Sequence, residues 1–158
     1  MIVPTKLLTA KRAMKAKRGN NVGRFLVEFD VSNYQDEVAA RLGALDPTQI
    51  RRAHISGVVD SGASELVLPE KVAKELGVPK GERIKVRYAD GRRATRDLVD
   101  DVRLKLMGRQ GTFQAIVEPR RKNALIGAIV LEVLDFLADC KRQRLVPRDP
   151  HFKVGEIE

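Results

Sequence analysis

The 158-residue chain contains no tryptophan, one cysteine and two histidines. The lone Cys140 excludes an internal disulfide and any multi-cysteine metal cage, and it suits a reducing compartment. Two histidines, His54 and His151, leave little room for a Ser-His triad, and Ser64 lacks the strand-turn-helix glycine pattern of a nucleophile elbow. No apolar run reaches the roughly 18 residues of a membrane span, and no apolar signal-peptide core stands at the start. Together these absences point to a cytoplasmic protein without a membrane partner. What is present suffices for one folded domain. Hydrophobic residues make up 43% and charged residues 32%, a balance that excludes wholesale disorder.

The formal net charge of +9 resembles a nucleic-acid signal until it is located. Seven of the 30 basic residues lie within residues 1–24, and none of the 21 acidic ones does. The rest of the chain is close to neutral. Basicity is therefore a property of an N-terminal arm, residues 1–23, followed by a domain at 24–147 and a C-terminal tail at 148–158. Lys11, Arg12, Lys15, Lys17 and Arg18 of the arm are the candidate contacts to a nucleic acid, through a salt-sensitive attraction to phosphates. A solvated tail is the plainer reading of the same charges. A third is a pro-segment removed by self-cleavage near the breaker cluster Gly19-Asn20-Asn21.

Beyond the arm, Phe25, Val27, Phe29 and Val31 alternate with polar residues and predict a half-buried strand. Residues 35–43 read as a short helix closed by Gly43, and Asp46-Pro47 marks a turn. A second strand is expected over 50–59, then a helix over 69–76 with Pro69 in its first turn and Gly77 after its end. Ile84, Val86 and Tyr88 alternate up to Asp90-Gly91, a hairpin signal. Val102, Leu104 and Leu106 alternate next, residues 108–111 read as a turn, and 112–118 returns as a strand. Residues 124–134 are strand-like up to Gly127 and helix-like after it. A small hairpin is expected over 136–147.

One segment stands out. An apolar strand, Val58-Val59, runs into Asp60-Ser61-Gly62-Ala63-Ser64. Taken alone, Asp, Ser and Gly are turn residues for ordinary reasons. The rest of the pattern changes that reading. Leu66-Val67-Leu68-Pro69 follows at once, and Leu125-Ile126-Gly127 with Leu131 comes well downstream, with hairpins between. In these motifs, over residues 24–147, the chain resembles the retropepsin-like aspartic proteases, the single-domain relatives of retroviral protease with prokaryotic members. Two motifs in that order are far more specific than either alone.

The resemblance implies a mostly β fold, a closed barrel or sandwich with two or three short helices and one lobe per chain. It implies that Asp60 is the catalytic residue. Because Asp-Ser-Gly occurs once and the chain is too short for two lobes, a homodimer would be needed to pair two copies of Asp60. Ser61, Gly62, Ala63 and Ser64 would form the active-site loop, and Leu125, Ile126 and Gly127 the floor beneath it. The hairpin tip Tyr88-Ala89-Asp90-Gly91-Arg92 would be a flap closing over a peptide or protein substrate. No metal and no cofactor is implied.

The flap departs from a glycine-rich retroviral type. Arg87, Arg92, Arg93 and Arg96 crowd it, which points to acidic substrates or, more plainly, to a charged edge that resists aggregation. Asp97, Asp100 and Asp101 read as solvated turn carboxylates, with a cation site as the alternative. Arg120-Arg121-Lys122 reads as a solvated loop, His54 as structural, and Cys140 as a small core or hairpin residue. The charged flap and the long stretch 33–49 leave a rival open. That rival is a catalytically silent module of the same fold, binding a peptide or nucleic acid through its groove or arm.

Overall fold

The computed structural model describes residues 24–158. The arm, and with it the arginines and lysines between 11 and 18 and the proposed self-cleavage point, lies outside the described residues.

Strand β1 (Phe25–Asn33) follows the sequence alternation, with Phe25, Val27, Phe29 and Val31 all buried. It ends in Asn33, whose position rather than its hydrophobicity explains its burial. The Asn33 amide nitrogen donates to the carbonyl of Leu76 at 2.9 Å, and its Oδ1 accepts the N–H of Asp36, capping helix α1 (Tyr34–Arg41). Gly43 follows with φ +77°, a conformation that favours glycine, and one 3₁₀ turn (Pro47–Gln49) leads into strand β2 (Arg52–Val59).

Strand β3 (Leu66–Pro69) precedes helix α2 (Glu70–Leu76). The sequence pattern predicts Pro69 inside that helix and gives no signal for the strand. Pro69 instead closes β3 and caps α2, which stops at Gly77 with φ +60°. Strands β4 (Lys80–Arg87) and β5 (Arg93–Leu106) form the Asp90-Gly91 hairpin. β5 continues unbroken through Asp97, Asp100 and Asp101. The expected turn is instead a register shift between Val99 and Val102, with Asp101 at φ +57°. The three carboxylates have separate protein partners. Asp97 meets Lys80 and Arg83, Asp100 accepts from Gln114, and Asp101 from Gln35.

The next turn is tighter than expected. Met107 and Gly108 alone connect β5 to β6 (Arg109–Glu118), both with positive φ, as a two-residue hairpin requires. Gly111 is therefore a strand residue, packed against Phe113 and Leu134. Strand β7 (Ala124–Ile126), helix α3 (Ala128–Leu134) and the hairpin β8 (Phe136–Asp139) with β9 (Arg144–Pro147) complete the order. Cys140 is exposed in the turn of that hairpin and takes no part in the core. Residues 148–158 form no helix or strand, but Arg109 ties their start by donating to the carbonyl of Asp149.

The main sheet runs β1-β2-β7-β3-β6-β5-β4, and β1 pairs β5 as well. Six strands thus close into a barrel, and β4 is left as an outer edge. The fold is the mostly β, retropepsin-like barrel. Its interior is built from aliphatic and phenylalanine side chains such as Phe25, Phe29, Leu66, Leu68, Leu104, Ile126 and Leu134. Among the described residues no helix is long and apolar enough to cross a membrane.

One polar contact braces α1 against β2. Asp36 accepts from Arg51 Nε at 2.8 Å, from Arg51 Nη2 at 2.9 Å and from its backbone N–H. The Arg51 guanidinium also fills the space where a side chain at residue 77 would project. Hydrogen bonds from Arg51 hold the Asp36 carboxyl below its ordinary range. A depressed carboxyl stabilises the fold fully above about pH 4, and that contribution is lost as pH falls through the folded value. Asp36→Asn should therefore cost about 1 kcal/mol at neutral pH, since Arg51 is half exposed. Its stability difference from the native chain should shrink in urea titrations below pH 4. A difference that persists unchanged in acid would contradict the charge-based account.

Candidate active site

The barrel topology determines how Asp60 is held. β2 and β3 are consecutive in sequence, yet β7 lies between them, parallel to β2 and antiparallel to β3. The connection 60–65 must therefore cross the end of β7. Main-chain bonds fix it there. The N–H of Asp60 donates to the carbonyl of Ile126 at 3.0 Å, Ala128 N–H to Ala63 at 2.8 Å, and Ile129 N–H to Ser64 at 3.0 Å. Asp60–Ser64 and Leu125–Gly127, singled out separately in the sequence, thus meet as loop and floor.

Gly127 is what permits the crossing. A Cβ there would lie 2.4 Å from the carbonyl oxygen of Glu65 and 2.7 Å from its nitrogen. Its φ of −88° is open to any residue, so glycine is required by crowding and not by dihedral strain. Ile126 beside it is fully buried, while Leu125 is half-buried.

The Asp60 side chain is 14% exposed, and both of its oxygens are engaged. Oδ1 accepts the N–H of Gly62 at 3.0 Å, the local turn that an Asp-x-Gly sequence favours. Oδ2 meets Nη2 of Arg24 at 2.8 Å. That contact was missed because Arg24 was counted among the arm charges. Its signal lies in the strand register. Phe25 pairs with Val59, so the residue before β1 stands opposite the residue after β2. Ser61, Gly62 and Ser64 are exposed around the carboxylate, and Ala63 is half-buried.

The hairpin tip is a well-ordered turn. Tyr88 N–H donates to the carbonyl of Arg92, and Gly91 N–H to that of Tyr88. Ala89, Asp90, Gly91 and Arg92 are exposed. Arg92 donates through Nε to Asp90 at 2.7 Å and stacks over the Tyr88 ring at 5.0 Å. The Tyr88 hydroxyl donates to Glu118 Oε1 at 2.5 Å, and Arg96 Nε donates to the same oxygen at 2.9 Å. Burial, and then the neighbouring carboxylate, push the Tyr88 hydroxyl above its ordinary range. Glu118 was not singled out in the sequence, although it anchors the hairpin to the end of β6. Arg92 and Arg96 are thus matched by carboxylates. Arg87 on the outer edge and Arg93 on β5 face each other across the ladder and stay exposed.

A second concavity, of about 460 Å³, lies toward the opposite end of β2 and includes Asp30, Glu37, His54 and Arg103. Within it His54 Nδ1 lies 2.8 Å from Asp30 Oδ1, and Arg103 pairs with Glu37 at 3.8 Å. His54 thus sits in a hydrogen-bonded pair apart from the Asp60 loop.

Two substitutions probe this construction. Gly127→Ala forces the loop off its floor and should cost about 3 kcal/mol, visible as a lowered Tm. Unchanged stability would contradict the tight crossing. Glu118→Gln weakens both bonds to the hairpin, so amide exchange at Tyr88 and Gly91 should quicken about fivefold. Equal protection in both proteins would show that Glu118 does not anchor the tip.

None of the curated proteins compared matches the chain. A family model does, described as gag-polyprotein putative aspartyl protease, over residues 47–132. The match spans more than half the chain and contains the Asp60 loop, both strands of the charged hairpin and the Gly127 floor. With the barrel and its crossing loop already in place, the chain belongs to this family of retropepsin-like aspartyl proteases.

Proposed function

We propose that the protein is a homodimeric aspartic endopeptidase in which two copies of Asp60 form one active site. The observation that carries this reading is the Asp60 loop itself. Its carboxylate is oriented by the Gly62 N–H and presented from a loop locked over Gly127. Two such carboxylates a few Å apart cannot both ionise cheaply, so the pair keeps one proton. The ionised member takes a proton from a water held between them. The protonated member donates to the scissile carbonyl and stabilises the oxygen on which charge develops. The two protonation steps belong to the pair and not to either residue. Ser61, exposed beside Asp60, would bond across to the partner's loop. An extended peptide would lie between this floor and the β4–β5 hairpin, held by main-chain hydrogen bonds. The matched charges of Arg92 and Arg96 leave Arg87 and Arg93 as the flap's remaining pull on acidic substrates. The exposed Cys140 suits a reducing, cytoplasmic setting.

One observation favours a second reading. The Arg24 pair gives Asp60 a structural role, as a silent peptide-binding module of this fold would have. The two readings separate in one experiment. The native chain and Asp60→Asn are incubated with a diverse peptide library from acid to neutral pH, and cuts are mapped by mass spectrometry. Asp60→Asn should remain dimeric and lose cleavage about 1000-fold or more. Equal cleavage by both proteins would overturn the mechanism. No cleavage by a native sample confirmed as dimeric would favour the binding module.

A further inference from the structure

The basic run Arg120-Arg121-Lys122 takes no part in the Asp60 loop, its floor or the hairpin anchor, yet the topology places it beside all three. β3 lies between β6 and β7, so the link from Glu118 to Ala124 passes over the Pro69 end of β3. It leaves β6 at the residue that bonds Tyr88 and Arg96 of the hairpin. It enters the strand that leads to Gly127 under the Asp60 loop. Lys122 is three residues before Leu125, no more than about 11 Å of chain. Beside this loop the outer face of the barrel carries an apolar row. Val58, Leu125 and Val67 stand in register across β2, β7 and β3, and all three are half-buried. Their strand neighbours, Val59 and Ile126 among them, fill the core, so alternation turns the row outward. Among the described residues the loop's cations meet no carboxylate. Arg121 donates through Nε to the carbonyl of Asn123 at 3.0 Å and closes the loop on itself, while Arg120 and Lys122 are exposed. In this they differ from Arg92 and Arg96 of the hairpin, each matched by a carboxylate.

We propose that Arg120 and Lys122 are specificity-determining residues that select acidic peptides. The apolar row seats one side chain of the bound peptide, and the loop draws an Asp or Glu close to it in the same peptide. The proposal rests on the endopeptidase reading and names its substrate class. An extended peptide advances about 3.3 Å per residue, so the loop reaches a side chain within about three residues of one seated over Leu125. Lysine suits this use, because its flexible stem carries a point charge to a carboxylate without a fixed geometry.

The test uses synthetic peptides with a central pair of apolar residues, each flanking position carrying Glu in one peptide and Gln in its match. The full chain is incubated with them above pH 5, where Glu is ionised, and mass spectrometry reads kcat/KM for each pair. The native protein should favour Glu over Gln about two- to fivefold at a position within about three residues of the cut, the range for an exposed ion pair. In Arg120→Gln/Lys122→Gln the ratio should fall to about one, and in Lys122→Glu it should drop below one. Arg87→Gln/Arg93→Gln should keep the native ratio. Circular dichroism verifies folding, and Arg120→Gln and Lys122→Gln singly give the same reading if the double variant unfolds. A native ratio of one, a ratio unchanged in the loop variants, or one lost in the hairpin variant instead would overturn the inference. No cleavage by a native sample confirmed as dimeric would overturn the endopeptidase reading, and binding of the same peptide pairs, fluorescein-labelled, then decides the role of the loop. A Glu preference that the loop variants lose supports that role, and equal binding of Glu and Gln peptides overturns it.

Discussion

The candidate site depends on one close approach, the passage of Gly127 under the loop that carries Asp60. β7 must slot between β2 and β3, and the main chain linking those two strands must then cross its end. Backbone meets backbone there with no space for a methyl group. Three main-chain hydrogen bonds then lock the crossing, and the Asp60 carboxylate adds a side-chain bond by accepting the Gly62 N–H. Ser61, Gly62 and Ser64 of this loop are exposed beside Asp60.

Charge is distributed around this site in matched sets. Asp60 meets Arg24, Glu118 meets Arg96 and Tyr88, and Asp90 meets Arg92. A strongly basic composition thus coexists with charges that are locally balanced around the candidate site. The outer strand β4 is one exception. Its exposed Lys85 and Arg87 lie on a free sheet edge, where like charge disfavours pairing with another sheet. Arg87, one of the arginines that suggest substrate preference in the sequence, therefore has a plain structural use.

Much of this is legible in the sequence, and the reasons differ by element. β1 was readable because four apolar residues alternate over one buried face. The β7-to-α3 transition was readable because its periodicity changes at Gly127. β3 was not, because it is only four residues long and ends in a proline that also suits a helix start. The course of β5 was misread because three carboxylates near a bulge resemble a turn. At the site, Asp60 and Gly127 were visible as motifs. Arg24 and Glu118 were not, since each acts through a partner distant in sequence that only register brings close. Local pattern carries elements, and pairing across strands carries the polar contacts that tune them.

A shared dyad requires an Asp60 from each of two chains. The most direct measurement mixes native and Asp60→Asn subunits at fixed total concentration, lets them exchange, and follows cleavage of a peptide substrate. If each site requires two intact carboxyls, activity falls with the square of the native fraction, because mixed dimers are silent. A linear fall, as from chains that act independently, or a slower one, as when mixed dimers match native ones, would contradict the shared dyad.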